Sequence, residues 1–456
     1  MAGLVLCAMP ALAAKPRFET GECPAAAAAA GARCGTLHVP EDHARPRGRR
    51  IPLKVIVLPA TGTNLDATRA QYDLEGGPGF AATDFLEFYA ADGAIYREHR
   101  DIVLADMRGT GGSNPLRCAG IEELERRQPA ALLYPPELVA ECAQQSSVAS
   151  DPRQYTTAAA ARDIDLVRQA LGYEQLDLNA ISYGTTLALR YIDDFPTRVH
   201  SAVMMGAVPA ERTPPRFHAP AAQISFDRLA ADCDADERCR EKFGDLRGNL
   251  QAALAHLAAS PAMPAPVFLE KLRNRLYAPA VRAGVPRLLS LAAAGDFSAF
   301  TVVRGTGRTF ADGLYLSITC TESFARMPLE PALDASRATL FGAYRLERQA
   351  VACRHWPAGA LRDPPRAARL PDTPVLFIAG DLDPVAPAEW AQETAARFPA
   401  SLLVRVPQGA HVLDGLSALD TCLDAVIIRF LDAGTTRGLD TGCFARTVPP
   451  PFEGTQ

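Results

Sequence analysis

Ser182 and its neighbours have the residue types of a hydrolytic nucleophile. Ser182 follows an apolar stretch, Leu176–Ile181, that predicts a buried strand, and it precedes a segment, Thr185–Phe195, that predicts a helix. A serine on such a strand-to-helix turn projects its hydroxyl above the sheet. Small residues on either side, Ala180 and Gly184, allow the strand and helix backbones to approach closely. Alanine in place of the usual first glycine weakens this match.

A nucleophilic serine needs a base that accepts its proton and a carboxylate that orients the base. His411 lies in a loop after the predicted strand Leu402–Val406, downstream of Ser182 and of a candidate acid, as the chemistry requires. Asp381 and Asp383 compete for the role of that acid, since both follow the preceding predicted strand. We choose Asp383, with Asp381 as the alternative. Either aspartate could instead be a helix N-cap or a turn residue.

A glycine-rich turn upstream of Ser182 predicts the oxyanion hole. Residues Gly76–Gly79 read Gly-Gly-Pro-Gly and follow a predicted strand that ends at Glu75. Glycine lets a backbone amide approach the substrate without an intervening side chain. We therefore expect the N–H of Gly77 and the N–H of Tyr183 to donate to the developing oxyanion. Alone, the same four residues are also typical of a tight turn.

The composition indicates a folded chain and argues against several classes of function. Hydrophobic residues make up 48% and charged residues 22% of the 456 residues, and the formal net charge is −5. This small charge and the scattered basic residues argue against nucleic-acid binding. Beyond the first residues, no apolar run reaches the length of a membrane span, and no cysteine or histidine group has zinc spacing. We predict neither a cofactor nor a metal, and oligomeric state is not readable from the sequence.

The N-terminus and the cysteines indicate export. Residues 1–14 are apolar and contain Ala11-Leu12-Ala13, which fits a signal-peptidase site, although no basic region precedes them. They resemble a signal peptide that begins upstream of Met1. The ten cysteines other than Cys7 suit disulfides in a periplasmic or extracellular protein. The simplest connectivity joins neighbours in the sequence: Cys23/Cys34, Cys118/Cys142, Cys233/Cys239, Cys320/Cys353 and Cys422/Cys443.

Predicted strands and helices alternate along residues 15–208 and again along 372–456. Such alternation predicts an α/β fold with a mostly parallel central sheet covered on both faces. Between these parts, residues 209–371 are helical and proline-rich, and they are too long for a loop. The layout is that of an α/β-hydrolase whose two core parts flank an inserted helical cap, or lid.

Several motifs together resemble the proline iminopeptidase and tripeptidyl aminopeptidase group of α/β-hydrolases, particularly its secreted bacterial members. The matching segments are Cys34-Gly-Thr-Leu-His-Val-Pro, Gly76-Gly-Pro-Gly, Asp106-Met-Arg-Gly-Thr-Gly-Gly-Ser, Ile181-Ser-Tyr-Gly-Thr and Gly380-Asp-Leu-Asp-Pro-Val. The resemblance implies hydrolysis of peptides near a free N-terminus, through an acyl-enzyme on Ser182. It also implies that acidic residues of the lid hold the substrate's α-ammonium group.

We assign that binding role to Glu322, which lies in the insertion beside the predicted Cys320 disulfide. A solvated glutamate is an equally good interpretation. Glu75 is a second substrate-binding candidate, because it replaces the histidine often found before the Gly-Gly-Pro-Gly turn. That departure leaves substrate specificity open.

Three functions remain in competition. The leading one is an exported serine aminopeptidase that releases short N-terminal peptides or single residues. The second is a carboxylesterase or lactonase with the same triad, which differs from the first in its lid. The third is an inactive binding protein, which the complete set of Ser182, Asp383 and His411 argues against.

Overall fold

A mixed β-sheet forms the centre of the protein. The computed structural model describes residues 16–63, 65–302, 308–361 and 372–455, and the predicted signal peptide lies outside them. Within these residues the sheet has nine strands in the order β1-β2-β3-β5-β4-β6-β7-β8-β9. The strands are β1 Phe18–Thr20, β2 Arg33–Pro40, β3 Arg50–Leu58, β4 Arg69–Leu74, β5 Asp101–Ala105, β6 Gln175–Ile181, β7 Val199–Met205, β8 Val375–Gly380 and β9 Ser401–Val406.

Helices connect the strands and build the long insertion. Those outside the insertion are α1 Ala25–Ala29, α2 Leu86–Ala90, α3 Ala119–Arg127, α4 Pro136–Ala149, α5 Thr157–Leu171 and α6 Tyr183–Asp194. Those between β7 and β8 are α7 His218–Ala235, α8 Glu237–Phe243, α9 Leu246–Ala259, α10 Ala265–Asn274, α11 Pro279–Arg282, α12 Val285–Ala293, α13 Ser298–Thr301, α14 Asp312–Ile318, α15 Leu329–Arg337 and α16 Tyr344–His355. The last two are α17 Ala388–Ala395 and α18 Leu419–Ala433.

In the order of the sheet, neighbouring strands from β1 to β5 pair antiparallel, and those from β5 to β9 pair parallel. Strands β1, β2, β3 and β5 pair antiparallel, whereas β5, β4, β6, β7, β8 and β9 pair parallel in that order. The carboxyl ends of the parallel strands therefore meet at one edge of the sheet. The loops after β4, β6, β8 and β9 hold the Gly76 turn, Ser182, Asp383 and His411, so the topology brings these groups together.

Alternating side chains pack helices against both faces of the sheet. Along β5, Val103 joins the apolar layer under α5 and α6, whereas Ile102 and Leu104 join the layer under α18. These apolar side chains are almost fully buried. The α/β fold predicted from the sequence is confirmed.

The insertion has an apolar core of its own. Phe226 of α7, Phe268 of α10 and Leu289 of α12 are fully buried in one cluster with residues of α8, α9 and α13. Because the insertion consists of helices that pack around their own core, the alternation of strands and helices in the sequence stops after β7. No helix of the described residues is long and apolar enough to cross a membrane.

Five disulfides join the neighbouring cysteines predicted above. The described pairs are Cys23–Cys34, Cys118–Cys142, Cys233–Cys239, Cys320–Cys353 and Cys422–Cys443. This simplest connectivity is confirmed.

The Asp106–Ser113 motif is a structural support near the site. Arg108 is fully buried and its Nε and Nη2 donate to the Asp163 carboxylate at 2.6 and 2.7 Å. Burial opposes ionisation of Asp163, yet Arg108 and His43 hold the pKa of Asp163 below its ordinary value. Asp106 accepts from the N–H groups of Thr83 and Gly112. The motif thus ties the loop after β5 to α5 and to the segment after the glycine turn.

Candidate active site

Ser182 occupies a strained turn between β6 and α6. Its φ of 56° and ψ of −125° lie where residues with a side chain are rare. Its N–H donates to the carbonyl of Met205 at 2.9 Å, and its carbonyl accepts from the N–H of Thr185 at 2.9 Å. These bonds hold Ser182 at the carboxyl end of the sheet, as predicted. Helix α6 begins at Tyr183, two residues before the predicted start.

The two small residues near Ser182, Ala180 and Gly184, differ in how closely other backbone atoms approach them. A Cβ on Gly184 would lie 2.0 Å from the carbonyl oxygen of Leu74. Ala180 is buried with its methyl group in the apolar layer of the sheet. Close approach of backbones therefore requires glycine after the serine but admits alanine before it.

Ser182, His411 and Asp383 form a hydrogen-bonded chain. His411 Nε2 lies 2.8 Å from Ser182 Oγ, and His411 Nδ1 lies 2.8 Å from Asp383 Oδ2. The His411 and Asp383 side chains are 6% and 0% exposed. In a site so shielded from water, the carboxylate can fix the orientation of the imidazole and stabilise its protonated form.

Backbone amides hold Asp383 in place, whereas Asp381 faces elsewhere. Asp383 Oδ1 accepts from the N–H of Val385 at 2.7 Å and from that of Ala386 at 2.8 Å. The Asp381 carboxylate accepts from Arg405 Nε at 2.6 Å, and both side chains are about one-third exposed or more. Of the two predicted alternatives, the structure brings Asp383 to His411.

Gly206 leaves room for the side chains of His411 and Asp383. The sequence analysis did not select this residue. It follows β7 with a φ of 57°, and a Cβ there would lie 3.1 Å from the His411 ring and 3.5 Å from Asp383 Oδ2. Glycine suits both the backbone conformation and the gap. A glycine immediately after a strand next to the nucleophile's strand was the signal available in the sequence.

The Gly76–Gly79 turn lies beside the nucleophile. A Cβ on Gly76 would be 3.0 Å from the Ser182 Cβ, and Gly77 has a φ of 111°. The N–H of Gly77 and that of Tyr183, the first residue of α6, donate to no acceptor within the described chain. Unpaired amides next to Ser182 are what an oxyanion hole needs.

Glu322 lies at the N-terminus of α5. Its Oε1 accepts from the N–H of Thr157 and its Oε2 from the Thr157 hydroxyl, both at 2.7 Å. The Thr157 hydroxyl lies 2.8 Å from the Tyr183 hydroxyl. Burial raises the pKa of Glu322, although Thr157 and Arg326 oppose the rise. Glu322 is therefore a part-buried acceptor tied to the core, unlike the solvated glutamate considered above.

A cavity of about 420 Å³ is lined in part by Glu322 and Thr157. Its wall combines residues of α5 and α6 with Asp42–Arg45, Glu322 and Arg326. Among the described residues that line it, neither Ser182 nor His411 appears. The cavity therefore borders Glu322, the predicted amine-binding residue, rather than Ser182.

Glu75 is paired with a cation of the insertion. Arg308 Nη2 donates to Glu75 Oε2 at 2.8 Å, and Arg308 Nε donates to Asp84 at 3.0 Å. The guanidinium also lies 4.5 Å from the centre of the Phe80 ring and 4.7 Å from that of Phe85. Burial raises the pKa of Glu75 to about 7, although Arg308 opposes the rise. Glu75 thus joins the insertion to the start of the glycine turn.

Comparison with known proteins places these features in a class. Residues 74–242 match the model of the α/β hydrolase fold, and residues 338–443 match that of TAP-like proteins. The chain is 26% identical to a tripeptidyl aminopeptidase of Streptomyces coelicolor over 92% of this chain and 84% of that protein. It is 28% identical to carboxylesterase B of Mycobacterium tuberculosis, over 89% and 85%. It is 24% identical to serine protease Hip1 of the same organism, over 89% and 86%.

The sheet order, the turn at Ser182 and the matched model give this chain the α/β-hydrolase fold. Its similarity to tripeptidyl aminopeptidases and to a serine protease supports a serine hydrolase. The resemblance predicted from the sequence motifs is confirmed.

Proposed function

We propose that the protein is an exported serine aminopeptidase that cleaves peptides near a free N-terminus. The observation that carries this proposal is the 2.8 Å chain from Ser182 Oγ through His411 to Asp383, at a strained strand-to-helix turn. Relatives named tripeptidyl aminopeptidase and serine protease support a peptide substrate. The five disulfides support an oxidising compartment outside the cytoplasm.

The geometry suits an acyl-enzyme mechanism. His411 Nε2 accepts the proton of Ser182 Oγ while that oxygen attacks the scissile carbonyl carbon. Asp383 stabilises the imidazolium that forms, and His411 then donates the proton to the leaving amine. Water, activated by His411, hydrolyses the ester on Ser182 and regenerates the hydroxyl.

The N–H groups of Gly77 and Tyr183 stabilise the oxyanion in both tetrahedral intermediates. Each donor of this kind contributes about 3 kcal/mol of transition-state stabilisation. Neither amide has an acceptor within the described chain, so no described hydrogen bond has to break when the oxyanion forms.

Glu322 is our candidate for binding the substrate's α-ammonium group. A carboxylate has about four acceptor positions, and Thr157 uses two of those on Glu322. The remaining positions and the neighbouring cavity leave room for an ammonium group. Glu75 is the weaker candidate, because Arg308 already neutralises it.

The alternative function is a carboxylesterase or lactonase. The same triad and oxyanion hole hydrolyse esters, and a relative of similar identity is named carboxylesterase B. The two functions differ in whether the site requires a free amine.

A substrate panel tests the proposal. We expect free tripeptidyl or aminoacyl anilides to be cleaved, their N-acetylated counterparts to be cleaved far less, and simple esters to offer no advantage. Indifference to acetylation together with rapid ester hydrolysis would support the esterase. Ser182→Ala should abolish turnover of every substrate while the thermal transition stays intact, and retained turnover would remove Ser182 from the mechanism.

A further inference from the structure

A buried cluster of charges lies in the insertion next to the catalytic histidine. Glu270 and Arg273 belong to α10, and Arg345 belongs to α16. Glu270 Oε1 accepts from Arg273 Nη2 at 2.6 Å and from Arg345 Nε at 2.8 Å. The side chains of Glu270, Arg273 and Arg345 are 13%, 3% and 19% exposed. Two guanidinium groups therefore share one carboxylate in a poorly hydrated place.

Tyr277 joins this cluster to the triad. Its hydroxyl accepts from Arg273 Nη1 at 2.9 Å. Its ring meets the His411 ring at 83°, with the ring centroids 5.5 Å apart. Its carbonyl accepts from the N–H of Val412 at 3.0 Å. The cluster is thus one side chain away from the base that contacts Ser182.

The other flank of the reaction centre borders the same cluster. Cβ atoms on Gly77 and Gly79 would lie 2.9 and 2.7 Å from the Phe310 ring. Phe310 in turn lies 5.8 Å from the Tyr315 ring. Tyr315 interacts electrostatically with Tyr277, Arg273 and Arg345. The Tyr315 ring therefore connects the cluster to the glycine turn, as the Tyr277 ring connects it to His411.

The local charge is positive. Glu270 compensates only one of its two arginines, and their proximity lowers the pKa of Glu270 despite its burial. Beyond them, Lys271 and Glu125 are of opposite sign and offset each other. Asp312 adds little negative charge near neutral pH, because burial raises its pKa to about 8. One guanidinium charge is left without a compensating carboxylate.

Hydrogen-bond donors of the cluster are also unused. Arg345 bonds to Glu270 through Nε and Nη2, and its Nη1 has no acceptor among the described side chains and backbone. The Tyr277 hydroxyl proton likewise meets no described acceptor. Beside Arg273, Nδ1 of His218 also has no hydrogen-bond partner in the described structure, and this residue is nine-tenths buried. Burial together with Arg273 lowers the pKa of His218 well below the usual value, so its ring is neutral and Nδ1 can be either a donor or an acceptor. Arg345 Nη1 and the Tyr277 hydroxyl can therefore donate to a ligand without breaking a hydrogen bond within the described structure.

We propose that Arg345 and the Tyr277 hydroxyl bind a carboxylate of the substrate beside the scissile bond. Arg273 and Glu270 hold these two groups in position. The carboxylate belongs either to an acidic side chain next to the scissile bond or to the C-terminus of a short peptide. The cluster repels an ammonium group, so the free amine has to bind elsewhere in the site. This inference rests on the proposed peptidase function.

Matched substrates test the two sources of the carboxylate. The first pair carries Glu or Gln immediately before the anilide in otherwise identical tripeptidyl anilides. The second pair is one tetrapeptide with a free C-terminal carboxylate or a C-terminal amide. A charge-assisted hydrogen bond predicts a preference of about tenfold or more in kcat/KM for the charged member of one pair. Equal kcat/KM within both pairs would overturn the proposal while leaving the peptidase function intact.

Variants assign the preference to the cluster. Arg345→Gln should reduce the preference to about twofold or less, because it removes the charge but keeps hydrogen-bonding groups. Arg337→Gln is the matched control, since Arg337 is a half-exposed arginine of the same insertion that pairs with Glu347 on the surface. It should keep the full preference. An unchanged preference in folded Arg345→Gln would overturn the assignment.

The test also works if the enzyme proves to be an esterase. In that case the same comparison uses the α-methyl esters of Glu and Gln, which differ only in the charge of the side chain. A preference for the Glu ester that Arg345→Gln removes would support the carboxylate site even though the peptidase function had failed. No preference on either esters or peptides would refute it.

Discussion

Asp383 and Asp381 stand on the same loop, yet only Asp383 directs its carboxylate to His411 within the described structure. Asp383 Oδ2 lies 2.8 Å from His411 Nδ1, while Asp381 pairs with Arg405 at the surface. This division provides a matched pair of variants. Asp383→Asn should lower kcat by about 10³–10⁴-fold, because an amide favours the wrong imidazole tautomer. Asp381→Asn should stay within about twofold of the wild type, since surface ion pairs contribute little. Steady-state kinetics on one anilide substrate measures kcat for both variants. An equal loss of kcat in the two variants would contradict the assignment of Asp383 as the partner of His411.

Glu75 should make stability depend on pH. Its pKa is about 7 in the folded protein and near the ordinary 4.5 when unfolded, because burial disfavours its charge. The folded state then binds more protons between these values, so this contribution to stability is complete below pH 4.5 and is lost as the pH rises through 7. The difference amounts to about 3 kcal/mol.

Urea unfolding of the wild type and of Glu75→Gln at pH 5 and pH 8 measures this effect. The wild type should lose more stability than Glu75→Gln between the two pH values. Arg308→Gln should move the loss to higher pH, since Arg308 is the charge that lowers the pKa of Glu75. Parallel pH profiles of wild type and Glu75→Gln would contradict the prediction.

The nucleophile turn should tolerate change on one side only. Gly184→Ala should destabilise the protein by about 3 kcal/mol or more, because the new methyl group collides with the backbone of Leu74. Ala180→Gly should cost only about 1–2 kcal/mol, through added freedom of the unfolded chain and loss of a buried methyl group. Denaturant titration followed by circular dichroism compares them. Similar losses in the two variants would show that the contact with Leu74 does not constrain the turn.

Glu322→Gln separates charge from hydrogen bonding at the proposed amine site. The variant should raise KM for free-amine substrates about tenfold and leave KM for their acetylated counterparts unchanged, since only the former carry the ammonium group. Thr157→Val is the control, because it removes one hydrogen bond to Glu322 but keeps the carboxylate. If Thr157→Val raises KM equally for free and acetylated substrates and Glu322→Gln does the same, the role of Glu322 is to hold α5.

Local sequence patterns were enough to predict that Ser182, His411 and Asp383 lie together. Ser182, Asp383 and His411 each follow a strand of a parallel sheet, and strands of that kind deliver their loops to one edge. The pattern of strands and helices therefore implies proximity without any knowledge of side-chain packing. The cysteine pairs were predictable for a similar reason, because neighbours in the sequence have little distance to close.

Long-range packing of the insertion explains what the sequence analysis missed. Arg273 and Arg345 meet on Glu270 only because α10 and α16 pack together, and no spacing in the sequence reports that contact. The direction of Glu322 depends on a π-helical turn, Thr319–Phe324, which propensities do not reveal. Helix bounds are also set by packing: α6 begins at Tyr183 instead of the predicted Thr185.

The disulfides divide the molecule into two separately cross-linked parts. Each of the five closes a loop of at most 33 residues, and among the described cysteines none joins the insertion to the sheet domain. Such cross-links lower the entropy of the unfolded chain within each part. Contacts between the parts, such as Arg308 with Glu75 and Val412 with Tyr277, are all non-covalent in the described structure. The disulfides therefore stabilise each part against unfolding. No disulfide among the described cysteines opposes movement of the insertion away from the sheet near Ser182.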